Sequence, residues 1–316
     1  NVIFSDKYII NCKPIFFMKN LLFTAILLFL LCSCHTMVED EFPDFKKTPV
    51  LNAFLQADSI LKVQLTFTAN LKDSTPDYVS NAQVVVESSL GKLDTLKYTQ
   101  KGWYVSTHTA LAGVTYTCKA DIAGFQQVKA QTTIPDYNII LDLVFTELAD
   151  LGSQGEVISS YEFSIASYKT RTCYWQVRMV TQGFDYEYDY KTKKMIQYPS
   201  WNNQDIYMQP DRDSVLLTEA EPLTIFSNKK MKNDTYKVKF FINSYSNGFQ
   251  PSRSYFIELR SIDESYYKYQ KQLYLYYMSE YTDLGSSPQT YPLYSNVING
   301  LGIFTSFSVY RKCVVE

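Results

Sequence analysis

The chain has 316 residues, of which 46% are hydrophobic and 20% are charged, and its formal net charge is −2. This composition is typical of a globular protein with room for two domains of common size. The near-neutral charge provides no basic surface for nucleic acid, so we exclude a nucleic-acid partner.

The first recognisable pattern is an export signal. Because the chain begins with Asn1, we expect residues 1–17 to be an upstream translated segment and Met18 to be the start. The apolar run from Leu21 to Leu31 has about 11 residues, whereas a membrane-spanning helix needs about 20. Residues 18–33 are therefore predicted to be a lipoprotein signal peptide.

The signal ends in the lipobox Leu31-Cys32-Ser33-Cys34. A small residue, Ser33, precedes Cys34, so we expect Cys34 to be the lipidated first residue of the mature protein, carrying diacylglycerol and palmitate. Several acyl chains on one cysteine give stable membrane attachment. The alternative is an ordinary signal peptide with an incidental cysteine.

Residues 34–48 read as an acidic tether that contains Glu39-Asp40-Glu41. Such a cluster resembles the surface-export signal of Bacteroidota lipoproteins, and the alternative is a solvated linker without an export role. We therefore expect an outer-membrane location, lipid-anchored and facing the cell surface.

Residues 49–136 show apolar residues at every second position, as in Leu61-Lys62-Val63-Gln64-Leu65, which is typical of half-buried strands. Gln100-Lys101-Gly102 favours a tight hairpin connection. Roughly seven short strands at spacings of about 8–12 residues predict an N-terminal antiparallel β-sandwich, Ig-like or transthyretin-like. Pro135 closes this unit, since proline cannot continue a paired strand.

Residues 137–316 hold 22 of the 27 tyrosines and are predicted to form a second β-rich domain. One segment, near 263–281, places Tyr266, Tyr269 and Leu273 at helical spacing. Ser261 or Asp263 is expected to cap this helix. The fold class is therefore mainly β with one notable helix.

Three cysteines follow the lipobox, so they cannot all pair with one another. Cys118 alternates with apolar residues in a strand and is expected to be a small core residue. A bridge between Cys173 and Cys313 stays open.

Few residues suit catalysis or metal binding. The only histidines are His35, in the tether, and His108, in a loop-like stretch, which argues against zinc and against a serine triad. Gly300-Leu301-Gly302 lacks the third glycine of a dinucleotide fingerprint and is interpreted as a turn or bulge. We predict no catalytic residue, no metal and no cofactor.

Carboxylates and tyrosines alternate between residues 185 and 190. On a strand, Asp185, Glu187 and Asp189 would share one face and the tyrosines the other. Lysines follow at 191, 193 and 194, which favours a solvated hairpin with cross-strand ion pairs over a calcium site.

Most tyrosines are expected to pack between strands. The best candidates for an exposed ligand contact are Trp201 and Tyr198, in the segment Tyr198-Pro199-Ser200-Trp201-Asn202-Asn203, which reads as a turn-rich loop.

The order of several short motifs carries a family resemblance. After the lipobox come Pro49-Val50-Leu51-Asn52-Ala53, Gly102-Trp103-Tyr104 and Gly113-Val114-Thr115-Tyr116-Thr117. The most specific block is the terminal Asn296-Val297-Ile298-Asn299-Gly300-Leu301-Gly302-Ile303-Phe304. This succession resembles the Bacteroidota lipoprotein family catalogued as domain of unknown function 4249.

The resemblance implies an outer-membrane lipoprotein that often accompanies a TonB-dependent receptor, with no assigned catalytic residues. Members often end in a cysteine pair, whereas Cys313 stands alone here. We expect a non-catalytic surface lipoprotein that binds a ligand or partners such a receptor in nutrient uptake. The alternatives are a structural or adhesive envelope protein and, third, a hydrolase.

Overall fold

The computed structural model describes residues 46–70, 75–151, 157–167, 170–208, 223–231, 233–243, 253–280 and 291–315. The lipobox and most of the tether lie outside these ranges. Within the described ranges the chain forms strands and one α-helix, which confirms the mainly-β prediction. The strands are β1 Pro49–Gln56, β2 Ile60–Phe67, β3 Asp77–Tyr78, β4 Gln83–Ser88, β5 Leu93–Tyr98, β6 Trp103–Thr109, β7 Thr115–Asp121, β8 Val128–Thr133, β9 Leu141–Leu151, β10 Val157–Ala166, β11 Tyr174–Asp189, β12 Lys194–Gln204, β13 Tyr207–Met208, β14 Ile225–Ser227, β15 Thr235–Asn243, β16 Ser254–Ile262 and β17 Leu301–Val315.

The first core forms because the period-two pattern places every second side chain on one face of each strand. In β1, Leu51, Ala53 and Leu55 point inward and the residues between them point outward. Strands β1, β2 and β6 and strands β4, β7 and β8 contribute to the same buried cluster. This arrangement is compatible with the predicted sandwich.

The last described strand, β17, lies beside the first described strand, β1. β17 pairs in parallel with β1 and antiparallel with β16, so the sheet runs in the order β12-β11-β16-β17-β1-β2-β6-β5-β4-β7-β8. Phe304 of β17 belongs to the first core. The predicted boundary at residue 136 falls between Ile134 of the first core and Ile140 of the second. The sheet nevertheless continues across it, and residues 47–316 form one compact unit.

A second core lies between β11 and β16 and a four-stranded sheet in the order β13-β15-β10-β9. Trp175 and Ile257 meet Phe163 and Phe240 there, and all four are buried. The second part of the chain is thus also built from two packed β layers.

The predicted helix is confirmed as α1, Glu264–Glu280. Of the two cap candidates, Asp263 is the cap, because its Oδ1 accepts the Tyr266 N–H at 2.7 Å, whereas Ser261 belongs to β16. Tyr266 is buried edge-on against Phe54 and Phe307, with ring centroids 5.9 Å apart in each pair.

The terminal Asn-Gly block positions β17 beside β1. Asn296 accepts the Phe304 N–H at 2.9 Å and donates to the Phe304 carbonyl at 2.7 Å. Gly302 has a φ of +107°, and a Cβ there would overlap the carbonyl oxygen of Leu51. The predicted interpretation as a turn or bulge is therefore refined: Gly300 lies in the turn and Gly302 within β17.

Among the described residues, Cys118, Cys173 and Cys313 form no disulfide bond. Cys118 is fully buried, as predicted, and burial raises the pKa of its thiol to about 12. Cys313 lies opposite Phe256, which lies opposite Val180 rather than Cys173. The strand register therefore separates Cys173 from Cys313, and the bridge left open by the sequence is not formed.

Candidate functional site

A two-stranded extension is the most distinctive exposed feature of the described chain. β11 pairs with β16 only over Tyr174–Gln182, whereas its pairing with β12 continues to Asp189 opposite Lys194. Residues 183–200 therefore form a β-ribbon beyond the edge of the sheet, closed by a turn at 190–193. We call residues 183–200 the aromatic ribbon. The hairpin predicted from the alternating pattern is confirmed.

One face of the aromatic ribbon is apolar. Residues directly opposite one another in an antiparallel pair share a face, and Tyr186 lies opposite Gln197 while Tyr188 lies opposite Met195. Phe184, Tyr186, Tyr188 and Met195 are all exposed, and Tyr190 at the turn is 84% exposed. Large exposed apolar patches of this kind mark interaction sites more often than isolated exposed residues do.

Trp201 lies at the base of this apolar face, because it is opposite Gln182, one pair before the ribbon begins. Its predicted loop position was wrong: the residue belongs to β12. The sequence was misleading because Pro199 suggests a turn, whereas an edge strand such as β12 tolerates proline. The Trp201 ring is 48% exposed, packs on Phe256 at 5.6 Å and lies 4.9 Å from the Arg311 guanidinium carbon.

Tyr198 does not join Trp201. It lies opposite Asp185 on the other face of the aromatic ribbon and is also exposed. The two predicted ligand contacts are thus on one strand but on opposite faces, and only Trp201 belongs to the apolar face.

A buried glutamate that sequence reasoning missed supports the base of the apolar face. Glu258 is 1% exposed, and its Oε1 accepts from Arg178 at 3.0 Å and from Arg260 at 2.6 Å. Its Oε2 accepts from Arg311 at 2.8 Å. Burial pushes the pKa of Glu258 upward, but the three arginines outweigh burial and hold it below its ordinary value.

This cluster fixes the cation beside Trp201, because Arg311 contacts both the glutamate and the indole ring. Part of this cluster could have been found from the sequence, since Glu258 and Arg260 are two residues apart on one strand and must share a face. Arg178 and Arg311 come from other strands, and nothing local in the sequence links them to Glu258.

Two carboxylates of the aromatic ribbon, Asp185 and Asp189, take partners other than the predicted lysine side chains. Asp185 pairs with Arg253 at 2.7 Å, and this hydrogen bond lowers the pKa of Asp185. Asp189 accepts the Lys191 backbone N–H at 2.9 Å and the Thr192 hydroxyl at 2.6 Å, so it stabilises the turn. Across the described ranges, no group of three or more His, Cys, Asp or Glu side chains is placed to hold a metal ion.

His108 lies in β6 rather than in the predicted loop, and it meets Ser106 and Asp94 there. The Asp94 carboxylate accepts from the Ser106 hydroxyl and lies 3.1 Å from His108 Nδ1. A catalytic triad needs the imidazole to bond the serine hydroxyl. Here both groups bond the aspartate instead, and the serine hydroxyl accepts the His108 backbone N–H at 2.8 Å. The cluster therefore lacks the nucleophile–base contact.

The described residues form a mainly-β structure with one α-helix and an exposed aromatic ribbon. The chain belongs to the family described as domain of unknown function 4249, whose sequence profile matches residues 35–313. The resemblance drawn from the ordered motifs is thereby confirmed at the level of the family. Comparison with curated proteins finds no match.

The description of the family assigns no activity, so no residue role is transferred from it. Among the described helices, none is long and apolar enough to cross a membrane.

Proposed function

We propose that this chain is a non-catalytic lipoprotein, anchored in the bacterial outer membrane through Cys34, that docks on a partner protein through the aromatic ribbon. The proposed partner is a TonB-dependent receptor, and the proposed setting is nutrient uptake at the cell surface. The single observation that carries the proposal is the exposed apolar face of the ribbon.

The anchor is supported by the sequence alone, because Cys34 lies outside the described residues. The lipobox and the acidic segment Glu39-Asp40-Glu41 support a lipid-anchored protein on the cell surface. Replacing Cys34 with Ala should abolish incorporation of labelled palmitate and move the protein out of the membrane fraction. Unchanged membrane association in that variant would contradict the anchor.

The aromatic ribbon supports a protein partner for a physical reason. A two-stranded ribbon outside a larger sheet is only marginally stable in water, so covering one face stabilises it. Tyr, Trp and Arg dominate the energetically important positions of protein interfaces, and Tyr186, Tyr188, Trp201 and Arg311 contribute to one surface here. The same surface is a poor site for chemistry, since its most buried ionisable group, Glu258, is neutralised by arginines.

The test is affinity purification of the tagged full-length chain from cell envelopes, followed by mass spectrometry of the proteins retained. The wild type should retain a TonB-dependent receptor. The double variant Tyr186→Ser/Tyr188→Ser should lose most of it, while Leu90→Ser, which also removes an exposed apolar side chain, should not.

Substitution of exposed side chains rarely changes stability by more than about 0.5 kcal/mol, so the ribbon variant should fold. Equal receptor recovery from both variants would refute docking through the ribbon. Absence of any receptor from the wild type, together with binding to cells or matrix, would favour the structural or adhesive alternative.

A further inference from the structure

A second surface, remote in sequence from the aromatic ribbon, forms a groove between α1 and the outward face of β1, β2, β6 and β17. Its cavity is about 600 Å³, within the range of about 300–1,000 Å³ that holds small ligands. We call it the outer groove. Its lining includes Asn52, Phe54, Gln56, Lys62, Gln64 and Trp103.

Strand register assembles the outer groove from residues far apart in sequence. Because the odd-numbered residues of β1 enter the first core, the even-numbered ones face outward. Asn52 lies opposite Gln64 on β2, Gln64 lies opposite Trp103 on β6, and Asn52 also lies opposite Ile303 on β17. A row of two amides between an indole and an isoleucine therefore crosses the sheet.

Aromatic side chains stand at the two sides of this row. On one side, Tyr269 of α1 packs edge-on against Phe54, with ring centroids 6.0 Å apart. On the other side, the Lys62 ammonium lies 5.3 Å from the centre of the Trp103 ring. Trp103 is level with Asn52 two strands away, and Phe54 is two residues further along β1, so the two positions are about 12 Å apart. That interval accommodates a ring-shaped ligand lying over the amides.

The amides between the aromatic walls keep unused hydrogen-bonding capacity. Asn52 Oδ1 accepts the Ile303 N–H at 3.2 Å, which leaves the Asn52 amide hydrogens available. Gln64 Nε2 donates to the Lys101 carbonyl at 3.1 Å, which leaves the Gln64 side-chain oxygen available. Both amides are half-buried, so a ligand that covers them and replaces their water must donate and accept hydrogen bonds to keep them satisfied.

Two further polar side chains line the outer groove at the β1–β2 connection. They are Gln56 and Ser59, and both are half-buried. Among the described residues that line the cavity, Lys62 is the single charged side chain and none is a carboxylate. The lining therefore combines flat apolar rings, neutral donors and acceptors, and one cation.

We propose that the outer groove binds a saccharide, with a pyranose ring against Trp103 and with hydroxyl groups bonded to Gln56, Gln64 and Asn52. A purely apolar ligand would leave the three amides without partners, which is unfavourable. A polyphosphate would find only one cation. Lys62 provides a charge-assisted hydrogen bond to a carboxylate, so saccharides that contain a uronic acid bind more tightly than their neutral counterparts.

This proposal is independent of the anchor and of docking through the aromatic ribbon. The test applies the detergent-solubilised full-length chain to an array of neutral and uronic-acid pyranose glycans, and then measures the affinity of the best ligand of each kind by calorimetry. Trp103→Ala and Gln56→Ala should each weaken binding of both kinds by about tenfold. Lys62→Met should remove the preference for the acidic glycan and leave the neutral one bound.

Trp201→Ala is the matched control, since it removes an exposed indole on the aromatic ribbon, and it should leave glycan affinity unchanged. Gln56 and Lys62 project from the outward sheet face, so their variants should keep the wild-type melting temperature even where Trp103→Ala does not fold. Binding of no glycan on the array would overturn the proposal. So would glycan binding that Gln56→Ala and Lys62→Met leave unchanged.

Discussion

Replacing Gly302 with Ala should destabilise the protein more than a comparable change at another left-handed glycine. Gly302 is in β17 at the point where that strand meets β1, with a φ of +107°. An added Cβ would overlap the carbonyl oxygen of Leu51 and lie 2.9 Å from Asn52 Oδ1. Neither neighbour can turn away freely, because one is backbone and the other is hydrogen-bonded to Ile303.

The expected loss of unfolding free energy in Gly302→Ala has two parts. Holding a non-glycine residue at this φ costs about 1–3 kcal/mol. Relieving the overlap requires local separation of β1 and β17, and each backbone group left without a partner costs about 1–3 kcal/mol. A total of about 4 kcal/mol is a large share of the stability of about 5–15 kcal/mol that folded proteins have.

Gly91→Ala provides the matched control. Gly91 has a φ of +77°, but an added Cβ there meets no atom within 4 Å. Only the conformational cost of about 1–2 kcal/mol applies. Thermal unfolding followed by circular dichroism should show a fall of about 10 °C for Gly302→Ala and of about 4 °C for Gly91→Ala. Equal melting temperatures for the two variants would refute the role assigned to the β1–β17 contact.

Three further outcomes follow from buried ionisable groups. Glu258→Gln should lower the free energy of unfolding by about 3 kcal/mol, because it leaves three arginines without their counter-charge. The pKa of Glu258 is lowered, so its contribution to stability is present above the ordinary value of 4.5 and is lost as the pH falls below it. Urea titrations of the variant should therefore show a flatter pH dependence below 4.5 than those of the wild type. Cys118, whose pKa burial raises to about 12, should resist alkylation at pH 8 until denaturant is added, and mass spectrometry of the native protein showing modified Cys118 would contradict its burial. Burial raises the pKa of Asp263 despite several hydrogen bonds, so wild-type stability should decline as the pH rises from 3.8 through the folded pKa, and Asp263→Asn should remove that decline. Asn keeps the helix cap whereas Ala does not, so Asp263→Ala should be less stable than Asp263→Asn by about 2 kcal/mol in urea unfolding.

Much of the local structure could be predicted from the sequence because it depends on local patterns. The period-two alternation around Leu61, Val63 and Leu65 produced strand β2, and the three-to-four spacing of Tyr266 and Tyr269 produced α1. The sequence offered Ser261 and Asp263 as caps without deciding between them, and the hydrogen bond from the Tyr266 N–H identifies Asp263. The predicted loop positions of Trp201 and His108 were wrong. At Trp201, turn-forming neighbours concealed an edge strand. At His108, polar neighbours concealed the outward face of a strand.

Long-range pairing could not be predicted. The contact between β1 and β17 joins residues about 250 positions apart, and it creates both the order of the sheet and part of the outer groove. Arg178, Glu258 and Arg311 likewise come from three strands that only the register brings together. Sequence patterns specify which face of a strand a residue occupies but not which strand lies beside it.

The terminal Asn-Gly block, which carried the family resemblance, has a structural role in this fold. Its residues were the most specific part of the resemblance, and their described contacts are structural: Asn296 holds Phe304, and Gly302 permits the close approach to Leu51. Because β17 also pairs with β16, the same block sets the position of Arg311 beside Glu258 and Trp201. The terminal Asn-Gly block therefore affects both proposed binding surfaces, because it positions the strand that contributes to each. A substitution at Gly302 should weaken binding at the aromatic ribbon and at the outer groove together.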